Sequence, residues 1–116
     1  MTVLDPLAYI SRYESDNLPF VGYGGSDLSK APLSPTGFPQ WAGVRTRKGI
    51  THAAGLFQIE PETWDAYAVP LMIHDFMVMS QKTVARALYD DVGFSAWAPY
   101  NPRLAAAIIA AKGRFV

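Results

Sequence analysis

Glu14 is the residue of this chain best placed to do chemistry. Asp5 is a typical N-cap, and the helix that follows it places Leu7, Ile10 and Glu14 on one face. A carboxylate among apolar neighbours is poorly solvated, so its pKa rises and it can hold a proton near neutral pH. A general acid needs this protonation state. The alternative is that the helix ends at Tyr13 and leaves Glu14 as an exposed terminal residue.

The composition is that of one small globular domain. The chain has 116 residues, and 50% of them are hydrophobic. A single core is therefore feasible without metal or disulfide support, and we expect one domain over residues 1–116. Ten Lys and Arg residues balance ten Asp and Glu residues. Because there is no net field to attract a polyanion, we expect no binding of nucleic acid or of an anionic membrane surface. We also expect a monomer that does not insert into a membrane.

Cysteine is absent, which excludes disulfides, thiolate zinc sites and cysteine nucleophiles. The two histidines, His52 and His74, have no second ligand at a metal-binding spacing. The sequence therefore predicts neither a metal site nor a cofactor. No stretch approaches the roughly 20 apolar residues of a membrane span, and the N-terminus lacks the basic and apolar regions of a signal peptide.

The elements that position Glu14 are mostly helical. Helices are predicted from Glu60 and Pro61 to about Ala68, from about Ser80 to a stop at Gly93, and from Pro102 to about Lys112. Residues 18–50 are rich in Gly, Pro and Ser and form a long loop, in which 20–23 and 40–44 are candidate short strands that pair with each other. Trp41 in this loop either stacks on a sugar or anchors the loop to the core.

Three separated motifs occur in a fixed order along the chain. They are Tyr13-Glu14-Ser15, the segment Ala-Gly-Leu-Phe-Gln-Ile-Glu-Pro-Glu-Thr-Trp at 54–64, and Ala98-Pro99-Tyr100-Asn101-Pro102. Together they resemble the lysozyme-like lytic transglycosylase superfamily. Its signature is a Glu-Ser at a helix end, a Gly-Leu-(Met/Phe)-Gln-Ile segment with a Pro-x-Thr helix start, and a later Ala-Tyr-Asn. This chain departs from the signature where Pro99 separates Ala98 from Tyr100.

A long separation between Glu14 and Gln58 makes the chain more similar to the phage lambda type of endolysin within that superfamily. The matching pieces, spread over about residues 9 to 100, are Glu14 with Asp16-Asn17, Tyr23-Gly24-Gly25, Ala54 to Gln58, Trp64-Asp65-Ala66-Tyr67, and Asp75-Phe76 with Ser80-Gln81. The resemblance implies a mainly α, lysozyme-like α+β fold. In this fold a small helical domain carries a long loop and short β-hairpin region that walls a saccharide cleft.

The resemblance also implies roles for individual residues. Glu14 corresponds to the sole catalytic acid and base. The residues that correspond to the substrate-binding set are Ser15, Phe57, Gln58, Tyr100 and Asn101. For two of these the residue pattern leaves a structural role open, since Gln58 can end a strand and Asn101 can cap the last helix, and both roles of Asn101 can hold at once. Thr51 and His52 either face substrate or stabilise a turn.

The implied activity is that of a peptidoglycan lytic transglycosylase, which cleaves the β-1,4 bond between N-acetylmuramic acid and N-acetylglucosamine. The implied partners are bacterial peptidoglycan glycan strands. Such an enzyme, made in the bacterial cytoplasm without a signal peptide, acts in the periplasm or cell wall after release by a holin or as part of a virion.

Two alternatives remain at this stage. One is a hydrolytic muramidase with Asp27 as second carboxylate, and the other is a non-catalytic peptidoglycan-binding virion module. No second carboxylate stands out, because Asp16 is too near Glu14 in sequence, Glu60 starts a helix and Asp27 lies in the long loop.

Overall fold

Four α-helices and two small sheets form the described part of the chain, residues 3–116 of the computed structural model. The helices are α1 (Pro6–Ser15), α2 (Pro61–Ala68), α3 (Val78–Val92) and α4 (Pro102–Ala111). Short 3₁₀ helices at Gly93–Ala96 and Ala98–Tyr100 connect α3 to α4. Strand β1 (Val3–Leu4) pairs in parallel with β4 (Arg114–Phe115), and β2 (Val44–Thr46) forms an antiparallel hairpin with β3 (Gly49–Thr51). The predicted mainly helical α+β class is confirmed.

The helix ends follow local capping chemistry. Asp5 caps α1 by accepting a hydrogen bond from the backbone of Leu7 at 2.9 Å, and each of α1, α2 and α4 has a proline in its first turn. Helix α3 begins two residues earlier than Ser80, because the Asp75 carboxylate accepts from the Met77 backbone and the Ser80 hydroxyl. It stops at Gly93, whose φ is 63°, as predicted.

Aromatic rings fill the centre of the core. The Trp64 and Phe76 ring centroids are 5.0 Å apart, and Phe38 packs on both rings. The helices contribute further side chains with no exposed surface: Ile10 from α1, Val84 from α3 and Leu104 from α4. Each such burial contributes about 1.5–3 kcal/mol, so this core fixes how α1, α3 and α4 pack together.

The long loop does not form the predicted strand pair between 20–23 and 40–44. Val21 bridges to Asp27, Gly22 bridges to Ala54, and Val44 pairs with Thr51 in the hairpin. The two segments meet instead through the Trp41 ring, which lies so close to Gly22 that a Cβ there would overlap it. Side-chain packing therefore replaces the expected ladder.

None of the helices within residues 3–116 combines the length and the apolar character needed to cross a lipid bilayer.

Candidate active site

Glu14 lies in the last turn of α1. The helix continues to Ser15 and ends at Asp16, which has a left-handed φ of 54°. The alternative in which the helix stops at Tyr13 and leaves Glu14 solvated is therefore wrong. Glu14 is partly buried. Its helical spacing from Ile10, which is completely buried, holds the carboxylate at the edge of the core.

Asn101 places an amide against this carboxylate. Its Nδ2 donates to Oε2 of Glu14 at 2.6 Å and to the backbone oxygen of Tyr13 at 3.0 Å. Its Oδ1 accepts from the Leu104 backbone at 3.1 Å and so caps α4. One side chain therefore caps a helix and orients the acid. The predicted contact of Asn101 with substrate stays a prediction.

The electrostatics of Glu14 favour its protonated form. Burial raises the pKa of Glu14, and this effect outweighs the hydrogen bond from Asn101, which lowers the pKa. A carboxyl group in such a site retains a proton at higher pH than an exposed Glu. It can then donate that proton to a leaving oxygen.

Ser15 faces inward from α1. Its hydroxyl donates to the backbone oxygen of Leu56 at 2.8 Å, and also to that of Ser11. The side chain is buried, so its partners are protein backbone. Ser15 therefore ties the end of α1 to the segment 54–59, which contains Gln58.

Gln81 of α3 completes this connection, although the sequence pattern had given it no role beyond a motif position. The side chain is 1% exposed. Its Oε1 accepts from the Leu56 backbone at 2.8 Å, while Nε2 donates to the backbone oxygens of Pro19 and Phe76. Close packing extends to Gly55, where a φ of 85° and the nearby Gln81 oxygen leave no room for a Cβ. We call Ser15, Leu56 and Gln81 the backbone clamp.

Gln58 has a left-handed φ of 47° in the turn that follows Gly55. Its Nε2 donates to the backbone oxygens of Val21 and Gly55, at 3.1 and 3.0 Å. The side chain is partly exposed. Gln58 therefore joins the long loop to the 54–59 segment.

Phe57 does not fit the expectation that it lines the sugar sites. Only 2% of its surface is exposed, and it belongs to the hydrophobic core. Its backbone oxygen accepts from the Trp97 ring nitrogen at 2.8 Å. Because its ring packs within the core, Phe57 has very little surface to offer a ligand.

Tyr100 differs sharply from Phe57, since 71% of its surface is exposed. It ends the second 3₁₀ helix and directly precedes Asn101. The Nζ of Lys48, in the β2–β3 turn, lies 5.1 Å from its ring centroid. The hairpin and the start of α4 thus meet beside the acid.

The base of the hairpin is held by hydrogen bonds within the protein. Glu60 accepts from the Thr51 hydroxyl and from the His52 backbone, the latter at 2.7 Å. Trp41 donates from its ring nitrogen to the His52 backbone oxygen at 3.1 Å. Trp41 therefore anchors the loop, and the Thr51 side chain stabilises the turn.

The other candidate carboxylates have side chains that are exposed, as in Asp16 and Asp27, or bound to the hairpin, as in Glu60. Asp27 is exposed, and a hydrogen bond from the Ser29 backbone lowers its pKa. Asp16 is also exposed at the end of α1, and Glu60 is engaged with the hairpin. Within residues 3–116, no three His, Asp or Glu side chains converge as metal ligands would.

Two concavities flank this region. One, of about 380 Å³, is lined by residues that include Ser11, Leu56 and Lys82. The other, of about 270 Å³, is lined by residues that include Trp41 and His52. Glu14 lines neither of them. It lies between the end of α1 and the start of α4.

Comparison with known proteins adds a structural match. No protein-family model matches the chain, and no curated protein sequence matches it. Its structure is similar to that of bacteriophage lambda lysozyme in complex with a chitohexasaccharide, with a TM-score of 0.59 and 20% sequence identity. The match covers 83% of this chain and 69% of the lambda chain. The chain therefore has the lysozyme-like fold, as its motifs predict.

Proposed function

We propose that this protein is a peptidoglycan lytic transglycosylase that uses Glu14 as its one catalytic carboxyl group. The observation that carries the proposal is the partly buried Glu14 held by Asn101, with a raised pKa, in a chain with the lysozyme-like fold. The saccharide ligand of the lambda lysozyme is consistent with a glycan substrate. The proposed place of action is the bacterial cell wall, reached by a phage-type route.

In the first step, Glu14 donates its proton to the glycosidic oxygen between N-acetylmuramic acid and N-acetylglucosamine. The bond from C1 to that oxygen breaks, and positive charge develops at C1. The substrate's own N-acetyl oxygen stabilises this charge, so no second protein carboxylate is required. Tyr100 and Asn101, at the start of α4, are the residues proposed to hold that N-acetyl group.

In the second step, the Glu14 carboxylate accepts the proton of the C6 hydroxyl as its oxygen attacks C1. The product is a 1,6-anhydro ring, and Glu14 is returned to its protonated form. Proximity replaces a second catalytic group, because the nucleophile is already attached to the reacting sugar.

Digestion of peptidoglycan in ¹⁸O-labelled water tests this reaction against hydrolysis. A transglycosylase yields anhydro-muramyl ends without solvent oxygen, which mass spectrometry identifies. Reducing ends that contain ¹⁸O would replace the proposal with a hydrolytic muramidase, and Glu14 would remain its acid. The absence of any cleavage by the purified wild-type protein would favour the non-catalytic binding module.

A further inference from the structure

The β2–β3 hairpin concentrates positive charge in a chain with no net charge. Arg45, Arg47 and Lys48 fall within four consecutive positions, and residues 44–51 include no Asp or Glu. All three side chains are exposed. Like charges this close repel one another, so an anionic ligand bound here would relieve an unfavourable interaction.

The hairpin does not need these cations for its own geometry. The Thr46 hydroxyl donates to the Gly49 backbone oxygen at 2.8 Å and accepts from the Lys48 backbone at 3.2 Å, which closes the turn. Among residues 3–116, the one side-chain ion pair joins Arg86 and Asp90 on α3, and it involves none of the hairpin cations. The hairpin cations are therefore available to a ligand.

Lys48 also contacts the residue that precedes Asn101. Its ammonium group lies over the exposed ring of Tyr100, 5.1 Å from the centroid. The next residue, Asn101, donates to Glu14. A positive charge and an aromatic face are thus presented together, one residue from the group that holds the acid.

We propose that Arg47 and Lys48, the latter held over the Tyr100 ring, form a binding site for the carboxylates that peptidoglycan strands carry on their stem peptides. The inference rests on the proposed function and specifies its substrate class. The site selects anionic, muramyl-containing strands over neutral N-acetylglucosamine oligomers. An ion pair between an exposed cation and a ligand carboxylate is weak by itself, so Arg47 and Lys48 act together.

Binding is best measured in the Glu14→Gln variant, where no cleavage competes. The Glu14→Gln protein is the parent, and the hairpin variant carries Arg47→Gln and Lys48→Gln in addition. The matched control adds Lys112→Gln and Arg114→Gln, which remove the same charge from exposed positions at the end of α4 and in β4. The ligands are soluble peptidoglycan strands, the same strands with their carboxylates amidated, and chitohexaose.

The hairpin variant is expected to bind native strands about fivefold more weakly than its parent, with chitohexaose binding unchanged. Amidation of the strands should lower the affinity of the parent for them by a similar factor and leave the affinity of the hairpin variant unchanged. The difference should also shrink at high salt. An amidase removes the stem peptides and leaves one free lactyl carboxylate on each muramyl residue. Loss of the difference between parent and hairpin variant on these strands supports the stem-peptide carboxylates, and a retained difference would overturn that assignment.

Equal weakening in the hairpin and control variants would overturn the inference, since net charge alone would then explain binding. A hairpin variant that loses affinity for lipopolysaccharide or teichoic acid, and not for the strands, would also overturn it in favour of a phosphate-bearing surface. These results are separate from failure of the proposed function. If the parent bound neither native strands nor chitohexaose, the glycan site itself would be wrong.

Discussion

The Asn101 amide lies 2.6 Å from the Glu14 carboxylate, although the two residues are 87 positions apart in sequence. The contact joins the last turn of α1 to the first turn of α4, which also pack against each other. Asn101 is fixed at its other end by the Leu104 backbone, so the start of α4 determines where its amide points. The geometry of the acid therefore depends on a helix cap.

Substitution of Asn101 should change the pH dependence of catalysis. The hydrogen bond from Asn101 lowers the pKa of Glu14, so its loss in Asn101→Ala raises that pKa further. Because a general acid must be protonated, the alkaline limb of the kcat/KM profile should move to higher pH. The rate should fall about tenfold or more, because the Glu14 carboxylate that forms as the proton leaves no longer receives a hydrogen bond from Asn101.

Asn101→Asp separates the two roles of this residue. Aspartate is an equally good N-cap for α4, but it offers no N–H and places a second carboxyl group against Glu14. We expect Asn101→Asp to have a higher melting temperature than Asn101→Ala. Its pH profile should shift at least as far as that of Asn101→Ala. Asn17→Asp, at an exposed position that accepts a hydrogen bond from Ser11, is the control. Unshifted profiles in both Asn101 variants would remove this residue from the mechanism.

Glu14→Gln should abolish cleavage and leave the fold intact. The amide preserves the shape of the side chain and can still accept from Asn101, but it has no carboxylic proton to donate. Loss of a general acid costs on the order of 100-fold or more in rate. Turbidity assays on cell walls beside circular dichroism measure both properties. Retention of more than about a tenth of the wild-type rate would exclude Glu14 as the acid.

The same substitution should stabilise the protein in a pH-dependent way. Burial raises the pKa of Glu14 above its unfolded value, so the wild type loses stability as the pH rises from the unfolded pKa through the folded one. Glutamine does not titrate. The melting temperature of Glu14→Gln should therefore exceed that of the wild type by roughly a few degrees at pH 7 and by less at pH 4. The exposed Glu62→Gln serves as the control, and an equal gap at both pH values would contradict the pKa assignment.

The parts of the fold that were predicted correctly are those specified by local signals. Asp5 and Asn101 are N-caps followed by proline, and Gly93 is a helix stop, so each determines a helix end within a few residues. The apolar period from Leu7 through Ile10 is also local, and it placed Glu14 at the edge of the core. Such features depend on residues less than two helical turns apart.

The errors concern contacts between distant segments. Phe57 was expected at the sugar sites because its motif match does not reveal which way a residue faces, and its ring packs in the core. Strands β1 and β4 pair in parallel, and each has two residues. Two residues are too few to show the alternation of apolar and polar side chains by which a strand is predicted. Gln81 was detectable, since it continues the buried stripe of Val84 and Leu88 on α3. A glutamine on an apolar face indicates a buried hydrogen-bonding role.

Removal of the other carboxylates tests the single-acid mechanism. Asp27→Asn should keep activity within about threefold of wild type, because the exposed side chain is bound only by its own loop and asparagine can still accept from Ser29. Asp16→Asn should behave likewise. A loss in Asp27→Asn as large as that in Glu14→Gln would show that the reaction needs two carboxylates, and the hydrolytic mechanism would then apply.

The backbone clamp should contribute strongly to stability through Gln81. In Gln81→Met the volume is nearly preserved, but the Leu56 N–H and the Pro19 and Phe76 oxygens lose their partner in a buried site. Each unsatisfied group costs about 1–3 kcal/mol, so we expect the free energy of unfolding to fall by roughly 3 kcal/mol or more. Urea denaturation measures this change. The neighbouring exposed Lys82→Met should stay within about 0.5 kcal/mol of wild type. Equal stabilities for the two variants would show that Gln81 does not hold the 54–59 segment against α3.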